Sequence, residues 1–239
     1  MTAEHDSFAC TVLAFDLEAY GHRDGPGQRD AQRRLVDVVA SAAHGAGLDA
    51  TEWTRQESGD GLLLFIPATV PLSRVLADLT REIELALAVH NRDLVRTAHL
   101  RARMSVGAGE VGAGANGYTG AAVIDVARVI GHDEVRAVLR AEQEWDLVAV
   151  VSDRVYQDVV PHRYRGLAPE QFRRMHLVTK ERSLDVWLRI PPSRTRQHEV
   201  GAARATSTTP GAGPGNVHAQ SVRYGGDDHA HTINHRYGR

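Results

Sequence analysis

The sequence predicts an α+β fold: one sheet with helices packed on one face. Three observations carry that reading. Short apolar runs such as Cys10-Thr11-Val12-Leu13-Ala14-Phe15 and Leu62-Leu63-Leu64-Phe65-Ile66 are too brief for helices and are bounded by turn residues. Between them lie segments whose apolar residues recur at helical spacing. Strands and helices alternate irregularly, with hairpins between, whereas a doubly wound parallel sheet would need regular alternation.

Taken in order, residues 10–15 read as a buried strand ending in Asp16, with Leu17-Glu18-Ala19-Tyr20-Gly21 behind it. Gly25-Pro26-Gly27 form a breaker cluster, and residues 29–46 follow as a helix with Leu35, Val38, Val39, Ala42 and Ala43 on one stripe. Residues 50–53 lead back as a strand into Ser58-Gly59-Asp60-Gly61. That stretch is a hairpin turn, because Gly supplies positive φ and Asp tolerates turn geometry. Pro67 closes the next strand. A longer helix begins near Pro71, carries Leu72, Val75, Leu76, Leu79, Ile83, Leu87 and His90 on one face, and ends near Asn91. Residues 100–107 alternate as a strand that resumes past a bend at Ala108, and the Gly-rich residues 112–120 read as a loop at one side of a hairpin. Residues 121–139 read as a single helix that leaves Arg128 on its exposed side. Residues 147–151 are another buried strand, and Ser152 caps a short helix over residues 153–160. Residues 172–178 and 184–190 close the sheet as a hairpin around Lys180-Glu181-Arg182, and Pro191-Pro192 end the domain over residues 1–192.

With 239 residues, 42% hydrophobic and 24% charged, the chain can bury a substantial core. A formal net charge of -2 and a pI near 6.7 argue against nucleic acid or an anionic membrane as the main partner. Cys10 is the single cysteine, so no intramolecular disulfide forms and a reducing compartment fits. No run approaches the roughly 20 apolar residues needed to cross a bilayer, and no basic segment precedes an apolar stretch. These features point to a cytoplasmic protein. No His-x-x-x-His or Cys/His grouping in the folded region has zinc-site spacing, and His90 reads as a partly buried, hydrogen-bonded histidine rather than a ligand. Of 28 Lys plus Arg residues only Lys180 is lysine.

Asp16 ends one strongly apolar strand and Asp60 heads another. Either alone is an ordinary turn or strand-end residue. If their strands pair, the two carboxylates sit roughly 5 Å apart on one face. Two anions that close repel, and the arrangement calls for a divalent cation.

At this point the residues resemble a class III nucleotide (adenylate/guanylate) cyclase catalytic domain of a divergent, actinobacterial type, over most of the chain. The family's strand ending in Asp, an apolar residue, any residue, Gly and Phe resembles Phe15-Asp16-Leu17-Glu18-Ala19-Tyr20, and its Gly-Asp hairpin resembles Gly59-Asp60. A middle strand beginning with Arg and ending Gly-Glu-Val is similar to residues 103–111. The Gly-x-x-Val-Asn-x-Ala-x-Arg helix resembles residues 120–128, and a Ser-Asp helix start resembles Ser152-Asp153.

The resemblance implies a ferredoxin-like, palm-type cyclase sheet and chemistry at a homodimer interface. Asp16 and Asp60 would hold two Mg²⁺ or Mn²⁺ ions, which bind the triphosphate of an NTP and activate the ribose 3′-hydroxyl. The backbone amides of Leu17, Glu18, Ala19 and Tyr20 would cradle phosphates. Arg128 of the second subunit would stabilise charge on the α-phosphoryl, and Lys180 would hold the terminal phosphates. Gln56 and Gly117 fall at the two base-reading positions, where adenylyl-type enzymes usually carry Lys and Asp.

The departures define the rival reading. Ile124 stands where the family has its transition-state Asn, with Asp125 beside it, and isoleucine donates no hydrogen bond. Ala19 replaces Gly and tightens the phosphate loop. A catalytically weakened, nucleotide-sensing or dimerisation module is therefore the alternative to an active cyclase. From Ser193 the composition turns to Thr, Pro, Gly, Arg and His, which reads as a disordered tail over residues 193–239. Within residues 216–238 a His-Ala element and an Arg-Tyr-Gly element recur around alternating β-type residues. The repeat suggests self-assembly or an effector partner.

Overall fold

A computed structural model describes residues 7–191. The tail over residues 193–239, with its expected repeat-mediated assembly, lies outside the described residues. The core element is β1 (Ser7–Leu17), whose apolar run has no polar alternation because both of its faces are buried. Leu13, Phe15 and Leu17 enter one layer, while Cys10, Val12 and Ala14 enter the other. The strand pairs antiparallel with β3 (Gly61–Pro67) on one side and with β4 (Ala102–Gly114) on the other.

The remaining strands are β2 (Thr54–Ser58), β5 (Gly117–Thr119), β6 (Leu147–Ser152), β7 (Phe172–Val178) and β8 (Ser183–Arg189). They complete an eight-stranded mixed sheet in the order β2-β3-β1-β4-β6-β8-β7, with β5 paired to β4. Among the described strands, only the β4–β6 pair is parallel.

Helices cover both faces, which corrects the expectation of one. On one face lie α1 (Gly25–Gly45), α3 (Thr80–Asn91) and α6 (Asp153–Val159), which bury Leu35, Val38, Ile83, Leu87 and Val155. On the other lie α4 (Ala121–Ile130) and α5 (Asp133–Ala141). Val123, Val126 and Ile130 of α4 pack on Cys10, Val12 and Ala14, and Leu139 of α5 packs near Val148 and Leu188.

Four local readings change. Gly25-Pro26-Gly27 is the first turn of α1 rather than a breaker: Asp24 accepts from the Gly27 N–H at 2.8 Å, and proline suits a first turn whose N–H has no helical partner. Residues 50–52 form a 3₁₀ turn, capped by Asp49 accepting from Thr51, and not a strand. β4 runs unbroken through Ala108. The helix expected over residues 121–139 is two helices, because the His132 ring accepts from the Glu134 N–H and starts α5 anew after Gly131.

The helix after Pro71 opens as α2 (Leu72–Arg74) and passes through a π-helical segment, Val75–Leu79, before α3. There the Thr80 hydroxyl donates to the Val75 carbonyl at 3.1 Å, and Asp78 pairs with Arg165 at 2.6 Å. His90 is hydrogen-bonded as expected, with Arg34 Nη1 3.0 Å from its Nε2, and burial and that guanidinium together hold its pKa down. No helix among the described residues is long and apolar enough to cross a membrane.

Cys10 lies beneath α4, and burial, with Glu110 nearby, pushes its thiol up to about 11. Thiolate is the nucleophile, so folded protein is expected to resist iodoacetamide at pH 8 and to react only as the α4 layer opens. Mass-spectrometric labelling along a urea titration checks this. Rapid labelling without denaturant would contradict the packing.

Candidate active site

β1 delivers Asp16 to the end of the sheet, where the register sets it opposite Gly61 of β3 and Arg103 of β4. Asp60 occupies the two-residue turn between β2 and β3, behind Gly59 with φ 57. The Asp60 carbonyl accepts from the Leu17 N–H at 3.3 Å, which fixes the turn to the end of β1. The Asp60 carboxyl lies close enough to Asp16 to act on its ionisation. Burial and Asp60 raise the Asp16 pKa, while the ion pair with Arg103 opposes them.

Arg103 is the functional residue that sequence reasoning passed over. It opened a quoted motif but received no role. It is 7% exposed, its Nη2 bonds Asp16, and its Nε is buried without a partner. This guanidinium is the cation paired with Asp16. The available signal was the pair of arginines, Arg101 and Arg103, on alternate positions of an otherwise apolar segment.

Arg101 holds the loop behind Asp16. At 8% exposure its guanidinium donates to the carbonyls of Trp145 (2.9 Å), Leu139 (2.5 Å) and Glu142 (2.9 Å) and to Glu18 Oε2 (2.5 Å). The Glu18 N–H donates back to the Arg101 carbonyl at 2.9 Å. The expected cradle of Leu17, Glu18, Ala19 and Tyr20 is thereby narrowed, since the first two amides are committed to Asp60 and Arg101. Ala19 takes the left-handed conformation at φ 56, which costs about 1 kcal/mol that glycine would avoid.

Gln32 of α1 was also missed. Its Nε2 reaches both the Tyr20 hydroxyl (2.9 Å) and the Gly59 carbonyl (2.6 Å), and so ties the loop to the Asp60 turn. A cleft of about 340 Å³ opens there, lined by Arg29, Gln32, Arg33, Glu57 and Asp60.

Arg128 in the last turn of α4 and Lys180 in the β7–β8 turn come together around a second cleft of about 430 Å³. Arg128 pairs with Glu181, and Asp125 pairs with Arg182, so the turn is clamped to α4 twice. The two clefts share no lining residue. Within one chain, Asp60 and this basic pair therefore line separate clefts. Ile124 is 48% exposed on α4. Gln56 of β2 lies against Gly117 of β5. Among the described residues, no group of three or more His, Cys, Asp or Glu gathers as a metal cluster.

No protein-family model matches the chain, and no curated protein matches it. Solved structures do. An adenylate/guanylate cyclase/hydrolase from Silicibacter pomeroyi aligns over 79% of this chain and 99% of its own, with 21% identity and a TM-score of 0.57. The guanylyl cyclase Cya2 aligns over 77% and 93%, with 16% identity and a TM-score of 0.54. The adenylyl cyclase CyaB from P. aeruginosa aligns over 80% and 98%, with 14% identity and a TM-score of 0.51. At these identities the likeness is one of architecture: the chain has the fold of adenylyl and guanylyl cyclase catalytic domains.

Proposed function

We propose that the protein is a nucleotide cyclase, converting an NTP to a 3′,5′-cyclic nucleotide and pyrophosphate at a homodimer interface. The observation that carries this reading is the convergence of Asp16, Asp60 and Arg103 at one end of the sheet. The donor set fits Mg²⁺ or Mn²⁺: two carboxylates offer hard oxygen ligands, and substrate phosphates can complete the shell. Two such ions per site, when bound, would neutralise the triphosphate and acidify the ribose 3′-hydroxyl.

The chain's own groups do the rest. Asp16 and Asp60 would hold the ions, and Arg103, buried beside Asp16, would be a fixed cation near the phosphates. The Ala19 and Tyr20 amides face the phosphates, steadied through Glu18 and Gln32. The 3′-hydroxyl gives up its proton to solvent as its oxygen bonds to the α-phosphorus, the bond to the bridging oxygen breaks, and pyrophosphate leaves. Arg128 of the second copy stabilises the charge on the α-phosphoryl, and Lys180 holds the departing phosphates. Separate clefts within one chain support a site completed by a second copy.

One observation favours a second reading. Ile124 presents an apolar side chain where a donor is expected, which lowers the rate on the order of 10²-fold. A chain so weakened would act as a nucleotide-sensing or dimerisation module, with the repeat in residues 216–238 as its output through self-assembly or an effector.

Incubation of the purified protein with each of the four NTPs and Mn²⁺, with chromatographic separation of products, distinguishes the two. A cyclic nucleotide supports the enzyme. Nucleotide-dependent thermal stabilisation without product supports the sensor.

A further inference from the structure

The β7–β8 turn and α4 carry matched charges. On α4, Asp125 and Arg128 stand three residues apart and so share one face. On the turn, Lys180, Glu181 and Arg182 run positive, negative, positive. Asp125 pairs with Arg182 and Arg128 pairs with Glu181, which leaves Lys180 without a carboxylate partner among the described residues. The turn is also closed on itself. The Thr179 N–H and hydroxyl donate to the Arg182 carbonyl at 3.0 and 2.6 Å, and the Arg182 N–H donates to Thr179 Oγ1 at 3.2 Å. It therefore moves as a unit, and whatever fixes the unit fixes Lys180.

The two ion pairs and His132, whose Nε2 is 3.1 Å from the Val178 carbonyl, hold the turn to the helices. The ion pairs are not equivalent. Arg128 lines the cleft shared with Lys180 and is the group that meets the α-phosphoryl in the proposed reaction. It reaches a phosphate only by giving up Glu181, whose side chain is 71% exposed and has solvent to swing into. Asp125 lies outside the lining of that cleft, and its side chain is only 27% exposed. Its pair with Arg182 survives when Arg128 changes partner, so the turn stays docked.

We propose that Asp125 is a positioning residue for Lys180, and that Glu181 is a built-in competitor of the triphosphate for Arg128. The identity of the anion rests on the cyclase reading. The two carboxylates then act on anion binding in opposite senses. Coulomb's law alone gives them the same sense, since removing either negative charge beside a basic cleft favours an incoming anion. Loss of Glu181 frees Arg128 and tightens binding. Loss of Asp125 lets the turn drift and weakens binding even though a repelling charge has gone. Each effect is about threefold, the scale of an exposed ion pair.

Inorganic tripolyphosphate is the probe, titrated by calorimetry into the full chain without metal or nucleotide. The proteins are wild type, Glu181→Gln, Asp125→Asn, Lys180→Ala, and a charge exchange that combines Asp125→Arg with Arg182→Asp. Gln and Asn match the shapes of the acids they replace, and thermal melts check that each variant is folded. The expected result is a Kd about threefold lower for Glu181→Gln, about threefold higher for Asp125→Asn, and within about twofold of wild type for the charge exchange, which rebuilds the pair at constant net charge. Lys180→Ala should bind most weakly. Tighter binding by both carboxylate variants overturns the proposal, because plain electrostatics then suffices. So does a charge exchange as weak as Asp125→Asn, a Kd unmoved by Lys180→Ala, or no binding by wild type. Each of these leaves the cyclase reading to the product assay with the four NTPs. Opposite senses in a chain that forms no cyclic nucleotide keep the clamp and remove the cyclase.

Discussion

Replacement of Asp60 by Asn is expected to reduce metal-dependent cyclisation on the order of 10³-fold while leaving the fold intact. The substitution keeps the turn, because Asn also tolerates turn geometry and the backbone bond from Leu17 to the residue-60 carbonyl does not involve the side chain. On the proposed reading, it removes half of the carboxylate charge that would draw metal ions. It also removes the like charge that helps push the Asp16 carboxyl up, while Arg103 remains paired with Asp16, so the metal-free protein should be no less stable than wild type.

The contrast appears on adding Mn²⁺. Wild type should gain about 2.7 kcal/mol at a hundredfold excess over Kd, and Asp60→Asn should gain little. Thermal melts with and without Mn²⁺, run beside product assays, check both halves. Undiminished turnover in Asp60→Asn would remove the two-carboxylate site from consideration.

The second large effect concerns Arg128, which should be needed from the opposite copy. Asp60→Ala and Arg128→Ala proteins are each expected to be nearly inactive. Mixed at equal concentration after subunit exchange, they should recover about a quarter of wild-type turnover, because random pairing makes about half of the dimers mixed and each mixed dimer keeps one intact site. Chromatography of differently tagged subunits establishes that mixed dimers form, and rates are then read on the same samples. No recovery in the presence of mixed dimers would mean that the site is not shared.

Asp16 and Asp60 were legible in the sequence because each sits where an apolar run meets turn residues, and the hairpin rule fixes which end of the strand Asp60 heads. Their companions were not. Arg103 acquires its partner only through the pairing of β1 with β4, a register across 87 residues that no local pattern encodes. Gln32 reaches the Asp60 turn from α1 in the same non-local way. The break between α4 and α5 escaped notice because apolar spacing continues through Val129 and Val135, and the cap there is histidine, an unusual choice. The second helical layer was foreshadowed by the unbroken apolar character of residues 10–15, which shows that both faces of a strand are buried but does not show what covers them.

The placement of β1 has a mechanical consequence. The strand is paired on both edges and covered on both faces, so Asp16 can shift only if the core shifts with it. Asp60 rides instead on a two-residue turn whose outer strand, β2, is an edge of the sheet. The two carboxylates thus have unequal anchors: Asp16 is built into the wall of the core, whereas Asp60 keeps its place through two hydrogen bonds, from the Leu17 N–H and from Gln32 to Gly59, so loss of Gln32 would loosen one carboxylate and leave the other where it is.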